Sequence, residues 1–251
     1  MDEFVGALAQ QQIELRELLD DMAPSDWQRP SRFEGWTTGD VVLHVAQTNE
    51  MAIASAEGRF ADFLTEIGRD VGPASDVDEG ADRMVEKERG LPPDALRDRY
   101  RTGADTLLRL LDVGDPHTRV QWVAGELSLR TLTTTRLAET WIHTGDVADA
   151  VGRTLVPGAR LRHIARLAWR TLPYAFSRAG RSLQGPVAFE LRGPDGEEWK
   201  FVPDEPAVTT IRGDGVELCL VAARRISPSH TGLIGEGPDA EAVLDFVRTY
   251  A

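Results

Sequence analysis

The strongest constraint on this chain is a change of hydrophobic period partway along it. Up to residue 152 the apolar side chains recur at helical spacing, and after Gly185 they alternate. A period of 3.6 buries one face of a helix, whereas a period of 2 buries one face of a strand. The chain therefore folds as a helical part followed by a part built on strands. Leu8, Ile13, Leu15, Leu18 and Leu19 mark a first helix that ends near Pro24. Thr37, three residues before Asp40, gives a capping-box-like start to a second helix through VVLHVAQTNEMAIASAEG. A weaker stretch, RFADFLTEIG, leads into an acidic loop around 72–82. Residues 94–112 form another amphipathic helix, with Leu96, Tyr100, Leu107, Leu108 and Leu111 on its apolar side. After a loop holding Pro116 and Trp122, a long helix starts near Ser128 and stops by Gly152. A last helical segment at 159–179 is broken or bent near Pro173.

Downstream, PVAFELRGPDGEEWKFVP places two alternating runs around Pro-Asp-Gly, which is a hairpin signal. AVTTIRG reads as a third strand, VELCLVAARR as a helix and DAEAVLDFVRTY as a closing helix. The expected division is 1–155, a connecting helix at 156–184, and 185–251.

Charge and cysteine content narrow the function. With 28 Lys+Arg against 41 Asp+Glu, the net charge of -13 opposes both phosphate-backbone binding and docking to an anionic membrane. No apolar run reaches the roughly 20 residues that span a bilayer. The acidic amphipathic start, MDEFVGALAQQQIELRELLDDM, has no secretion-signal pattern, so a reducing cytoplasm is the expected compartment. A single cysteine, Cys219, makes neither an internal disulfide nor a Cys-rich zinc site. Any metal would then be held by His, Asp and Glu. Only 5 histidines are present, and each can be traced.

Arg136, Glu139, His143 and Asp146 fall on one stripe of the 128–151 helix. Glu139 and His143, four apart, can offer a carboxylate oxygen and an imidazole nitrogen to one ion. The same spacing is common on solvated helix faces, where Arg136 would pair with Glu139 and His143 with Asp146. His44, inside VVLHVA, sits among apolar residues and needs a partner for each ring nitrogen. It reads either as a core histidine bonded to a nearby hydroxyl or carbonyl, or as a ligand. Together the three make a two-His, one-carboxylate set of the kind that facing helices project into a bundle. Three protein ligands leave open positions for water or substrate. His117 and His230 lie in loops, and His163 reads as a helix-surface residue.

The runs FEGWTTGDVVLHVA (33–46) and RLAETWIHTGDVADAVG (136–152) resemble the metal-binding domain of actinobacterial mycothiol-dependent maleylpyruvate isomerases. The tail FVPDEPAVTTIRGDGVELCLVAARR is similar to their smaller C-terminal domain. The resemblance covers nearly the whole chain. It implies an α + α/β fold: a DinB-like, up-down-up-down four-helix bundle joined to a smaller α/β domain similar to sterol carrier protein 2. It also implies that His44, Glu139 and His143 match the family's ligands for zinc, with nickel or iron as alternatives. Mycothiol or a similar small thiol would be the cosubstrate. The acidic stretch 72–88 matches no family motif and is a candidate lining for a different substrate pocket.

In such enzymes a metal-held thiol becomes the nucleophilic thiolate. Cys219, on a packed helix, reads as an inert buried thiol, so the reacting thiol comes from outside. One of Arg224 and Arg225, with Arg225 preferred, matches a family arginine implicated in handling an anionic substrate; a solvated helix end suits the pair equally. Asp146 is the candidate for orienting His143, and Asp40 reads as a helix-capping residue. The expected partner is a small molecule, with no nucleic acid and no membrane. Alternatives are a thiol-independent metalloenzyme (hydrolase, lyase or tailoring enzyme) and a non-enzymatic metal- or lipid-binding protein.

Overall fold

In the computed structural model, which describes residues 2–71, 74, 76–123 and 125–249 (backbone alone at 70 and 71), four long helices dominate the N-terminal part. They are α1 (Glu3–Asp20), α2 (Thr38–Ala56), α5 (Pro93–Val113) and α6 (Leu129–Val151), with the shorter α3 (Phe60–Val71) and α4 (Val77–Glu88) between α2 and α5. The start of α2 is fixed by a full capping box. The Asp40 amide donates to Thr37 Oγ1 at 3.2 Å, and the Thr37 amide donates to Asp40 Oδ2 at 2.8 Å. A cap of this kind stabilises a helix by about 1 kcal/mol. Ser128 caps α6 by accepting from the Thr131 amide, and Gly152, at φ 71°, closes it in the left-handed conformation that glycine adopts freely.

The long helices pack as α1 on α6, α2 on α5 and α6, and α1 on α5. Leu15, Leu19, Val41, Val42, Leu43, Val45, Ala46, Tyr100, Ala104 and Val147 fill the space between them. Ile13, counted above among the apolar positions of α1, instead points out and is 51% exposed.

Two local expectations change. The acidic loop expected around 72–82 is helical from Val77 onward, because Asp76 caps α4 by accepting from the Glu79 amide and Glu79 pairs with Arg83 one turn on. Residues 72, 73 and 75 lie outside the described residues. The loop expected before α6 contains an antiparallel hairpin, β1 (Arg119–Trp122) with β2 (Gly125–Ser128). Its strands are four residues each, too short for alternation to stand out. The 159–179 segment is broken near Pro173 as expected: it divides at Thr171 into α7 (Leu161–Arg170) and α8 (Leu172–Arg178), with Pro173 in the first turn of α8.

The remainder is a mixed four-stranded sheet with helices. β3 (Val187–Arg192) pairs antiparallel with β4 (Glu198–Phe201) across the Pro-Asp-Gly turn, and parallel with β5 (Thr209–Asp214). A short β6 (Ile234–Glu236), which the sequence did not signal, adds antiparallel to β5, giving the order β4-β3-β5-β6. Helix α9 (Gly215–Ala222) follows β5, and α10 (Ala240–Phe246) closes the chain. Phe189, Trp199, Ile211, Leu218 and Ile164 are each fully buried here. The chain divides into two compact units, Met1–Leu155 and Val156–Tyr250, so α7 and α8 belong with the sheet. Among the described residues no helix is long and apolar enough to cross a membrane.

Candidate metal centre

Helices α2 and α6 bring three side chains together in the first unit. His44 lies between buried Val41, Val42, Leu43, Val45 and Ala46, so its flanking turns are anchored in the core. Its Nε2 faces Glu139 Oε1 at 3.0 Å. One turn further along α6, His143 Nε2 lies 3.3 Å from the same oxygen. One candidate ligand atom from each residue lies within 4.8 Å of the others, the one such His-His-Glu group found among the described residues. Bond lengths to zinc of about 2.0–2.2 Å place neighbouring ligand atoms roughly 3–3.5 Å apart, so this donor set suits such an ion after small side-chain adjustments. His44 is thus paired with a carboxylate and not with the hydroxyl or carbonyl of an ordinary core histidine.

The other ring nitrogen of His143, Nδ1, is 3.0 Å from Asp146 Oδ2, as the spacing of three allowed. Asp146 is itself buried, with Arg32 Nη1 3.6 Å from its second oxygen. The expected pairing of Arg136 with Glu139 does not form. Arg136 crosses instead to α2, where Nη2 donates to Thr48 Oγ1 and Asn49 Oδ1, each at 3.0 Å. Two rings that sequence reasoning quoted without a role stand beside the triad. The Trp36 ring is centred 5.4 Å from that of His44, and the Phe33 ring 5.7 Å from that of His143. Trp36 Nε1 donates to Asp82 Oδ1 on α4, so the acidic 72–88 segment does reach the site's surroundings, through this tryptophan.

The electrostatics follow from burial and mutual contact. Burial holds the His44 imidazole below its usual pKa, in spite of the hydrogen bond to Glu139. For Glu139 burial works upward, but the two imidazoles outweigh it and hold the carboxyl well below the usual range. His143 is opposed by burial too, yet Glu139 and Asp146 push it up to about 9.

The remaining candidates lie elsewhere. His117 and His230 are exposed, and His163 is half-buried on α7. Cys219 is fully buried, and burial drives its thiol pKa far up. Arg224 and Arg225 follow α9 in the second unit, both half-buried. Arg224 is the one non-glycine residue at positive φ, 58°, among the described residues. Asp40 is taken up by the cap and by Arg89, whose Nε is 3.3 Å away.

Fold and site define a helical protein carrying a candidate His-His-Glu metal centre, joined to a unit with a mixed sheet. The chain belongs to the mycothiol maleylpyruvate isomerase N-terminal domain family, whose model matches residues 8–148. Two uncharacterized proteins of Mycobacterium tuberculosis, from strains CDC 1551 / Oshkosh and H37Rv, are each 30% identical to it. The alignments span 99% of this chain and 95% of theirs. Its fold is similar to crystal structures of the mycothiol-dependent maleylpyruvate isomerase (TM-score 0.62) and of a histidine-to-alanine mutant of that enzyme (0.60). Each is 18% identical, with 95% of both chains covered.

Proposed function

We propose that the protein is a metal-dependent enzyme whose His44, Glu139 and His143 hold a divalent ion, zinc first among the candidates. In this reading a low-molecular-weight thiol such as mycothiol acts on a small anionic substrate, by isomerisation or S-transfer. The observation that carries it is the convergence of two imidazoles and one carboxylate from two helices at a common point. When bound, such an ion lowers the pKa of a thiol or water toward neutrality.

The chain's own groups are arranged for that role. His44 offers a neutral imidazole, because burial disfavours its cation. Glu139 stays ionised and supplies the negative charge. Asp146 takes the Nδ1 hydrogen of His143 and so turns Nε2 toward Glu139. The Trp36 and Phe33 rings stand against His44 and His143 and give the triad an apolar flank. Buried Cys219 supplies no nucleophile, which is why the thiol in this reading is a cosubstrate. Arg225, or its neighbour Arg224, remains a candidate for an anionic group of the substrate on the family resemblance alone, since a guanidinium binds such a group bidentately.

Elemental analysis of the purified protein beside Glu139→Ala tests the reading. About one equivalent of metal in the wild type and little in the variant is expected; a metal-free wild type after loading with zinc would sink it. Titration of the loaded protein with mycothiol then tests the thiol, with a change in tryptophan fluorescence near Trp36 as the expected signal.

A further inference from the structure

Arg136 is 1% exposed, in the interior of the helical unit. A buried guanidinium is costly unless a carboxylate or several acceptors compensate it. Neither is present. No carboxylate forms an ion pair with Arg136 among the described residues, since Glu139, one turn on, directs Oε1 at His44 and His143. Of five N–H donors, only those on Nη2 meet protein acceptors, and both acceptors are neutral. Nε is buried without a partner, and so is Nδ2 of Asn49, the amide that accepts from Nη2.

The location matters as much as the charge. Arg136 precedes Glu139 by one turn on α6. Its partner Thr48 follows His44 by one turn on α2 and donates back to the His44 carbonyl at 3.0 Å. A cationic group with spare donors thus lies one turn from the triad on both helices that build it. The triad itself opens to solvent, with the His44 and Glu139 side chains 13% and 19% exposed.

We propose that Arg136 and Asn49 form an anion subsite next to the His44–Glu139–His143 centre, taking a carboxylate of the small molecule bound there. A carboxylate carries two oxygens and about four acceptor positions, enough for Arg136 Nε and Asn49 Nδ2, which have no partner in the protein. This deepens the proposed function and rests on its reading that a small anionic molecule binds at the triad. It separates Arg136 from a purely structural role: a cross-link between α6 and α2 affects stability but not the response to an anion.

The test titrates the zinc-loaded full-length protein with sodium formate, against sodium chloride at matched ionic strength, and follows the melting temperature and tryptophan fluorescence. Formate is expected to saturate the wild type. Arg136→Met, with its zinc content intact, is expected to need at least tenfold more formate. Arg136→Lys, which keeps the charge but loses the planar fork, is expected to fall between them. The proposal is overturned if formate acts no differently from chloride on the wild type. It is also overturned if Arg136→Met, or Arg136→Lys should the former not fold, responds at the wild-type concentration, which would put the anion on the ion alone. Failure of the wild type to hold zinc defeats the metal reading separately, and the same titration on that protein still decides the role of Arg136.

Discussion

His143 Nδ1 lies 3.0 Å from Asp146 Oδ2, with both side chains buried. An ionised carboxylate only accepts hydrogen bonds, so this contact keeps a proton on Nδ1 and makes Nε2, beside Glu139, the nitrogen that gives up its proton to bind an ion. Orienting groups of this kind are typically worth 10–100-fold in metal affinity. Asp146→Ala is therefore expected to weaken zinc binding by about that factor, and Asp146→Asn, which keeps an acceptor oxygen, by less. Competition against a chromophoric chelator measures it; an Asp146→Ala affinity within twofold of wild type would show that the contact does not orient the ligand.

The three ligands differ in protonation before an ion arrives. At pH 7 His44 is neutral, Glu139 ionised and His143 protonated, since its pKa is pushed up to about 9. A ligating imidazole must be neutral, so loading a divalent ion releases the His143 proton. Apparent affinity is expected to rise with pH, about tenfold per unit below about 9, and to flatten above it. Calorimetry at pH 7 in buffers of different ionisation enthalpy should find about one proton released per ion. A count near zero or two contradicts this charge assignment. The metal-free fold shows the opposite sign. A histidine whose folded pKa is raised contributes stability that is fully present below its unfolded value, near 6.5, and lost as pH rises through about 9. The metal-free protein should thus melt lower at pH 9.5 than at pH 6.5.

Much of this centre was legible in the sequence because it uses helical spacing. Glu139 and His143 are four apart on one helix, and His44 interrupts an apolar run, so their residue types and periods point at each other without a structure. What stayed hidden depends on contacts between distant segments. Arg136 could be placed on the correct stripe, but its partners Thr48 and Asn49 lie on α2, and no local pattern announces them. Arg32 reaches Asp146 from a loop more than a hundred positions earlier. Helix α4 was missed because it has little apolar surface to show a period, with Val85 its one buried residue. The hairpin before α6 and strand β6 are too short for alternation to register.

Cys219 gives a check on where reactive sulfur comes from. Its Sγ is buried 3.5 Å from the Leu161 carbonyl, and burial disfavours the thiolate. A disulfide reagent is expected to label it only as fast as the protein opens, with the rate climbing steeply in denaturant. Cys219→Ala should retain its metal and any mycothiol-dependent turnover within twofold, at about 1 kcal/mol of lost stability. Rapid labelling of the folded protein would contradict the inert assignment.

Arg224 occupies a position where glycine is the usual choice. Its backbone, at φ 58°, lets the Arg225 amide donate to the Leu220 carbonyl at 2.8 Å, while its own amide donates to the Val221 carbonyl at 3.0 Å, closing α9. A non-glycine residue in this conformation costs about 1–2 kcal/mol. Glycine removes that strain but loosens the unfolded chain by about 0.4–1 kcal/mol. Arg224→Gly is therefore expected to gain about 0.5–1 kcal/mol, read as a higher denaturation midpoint at unchanged slope. If the side chain also holds the substrate's anionic group, the same variant loses turnover on anionic substrate while keeping its metal. Arg225→Ala, which removes the neighbouring guanidinium without touching the strained backbone, then decides between the two arginines: the one whose loss raises KM at unchanged metal content is the substrate's partner.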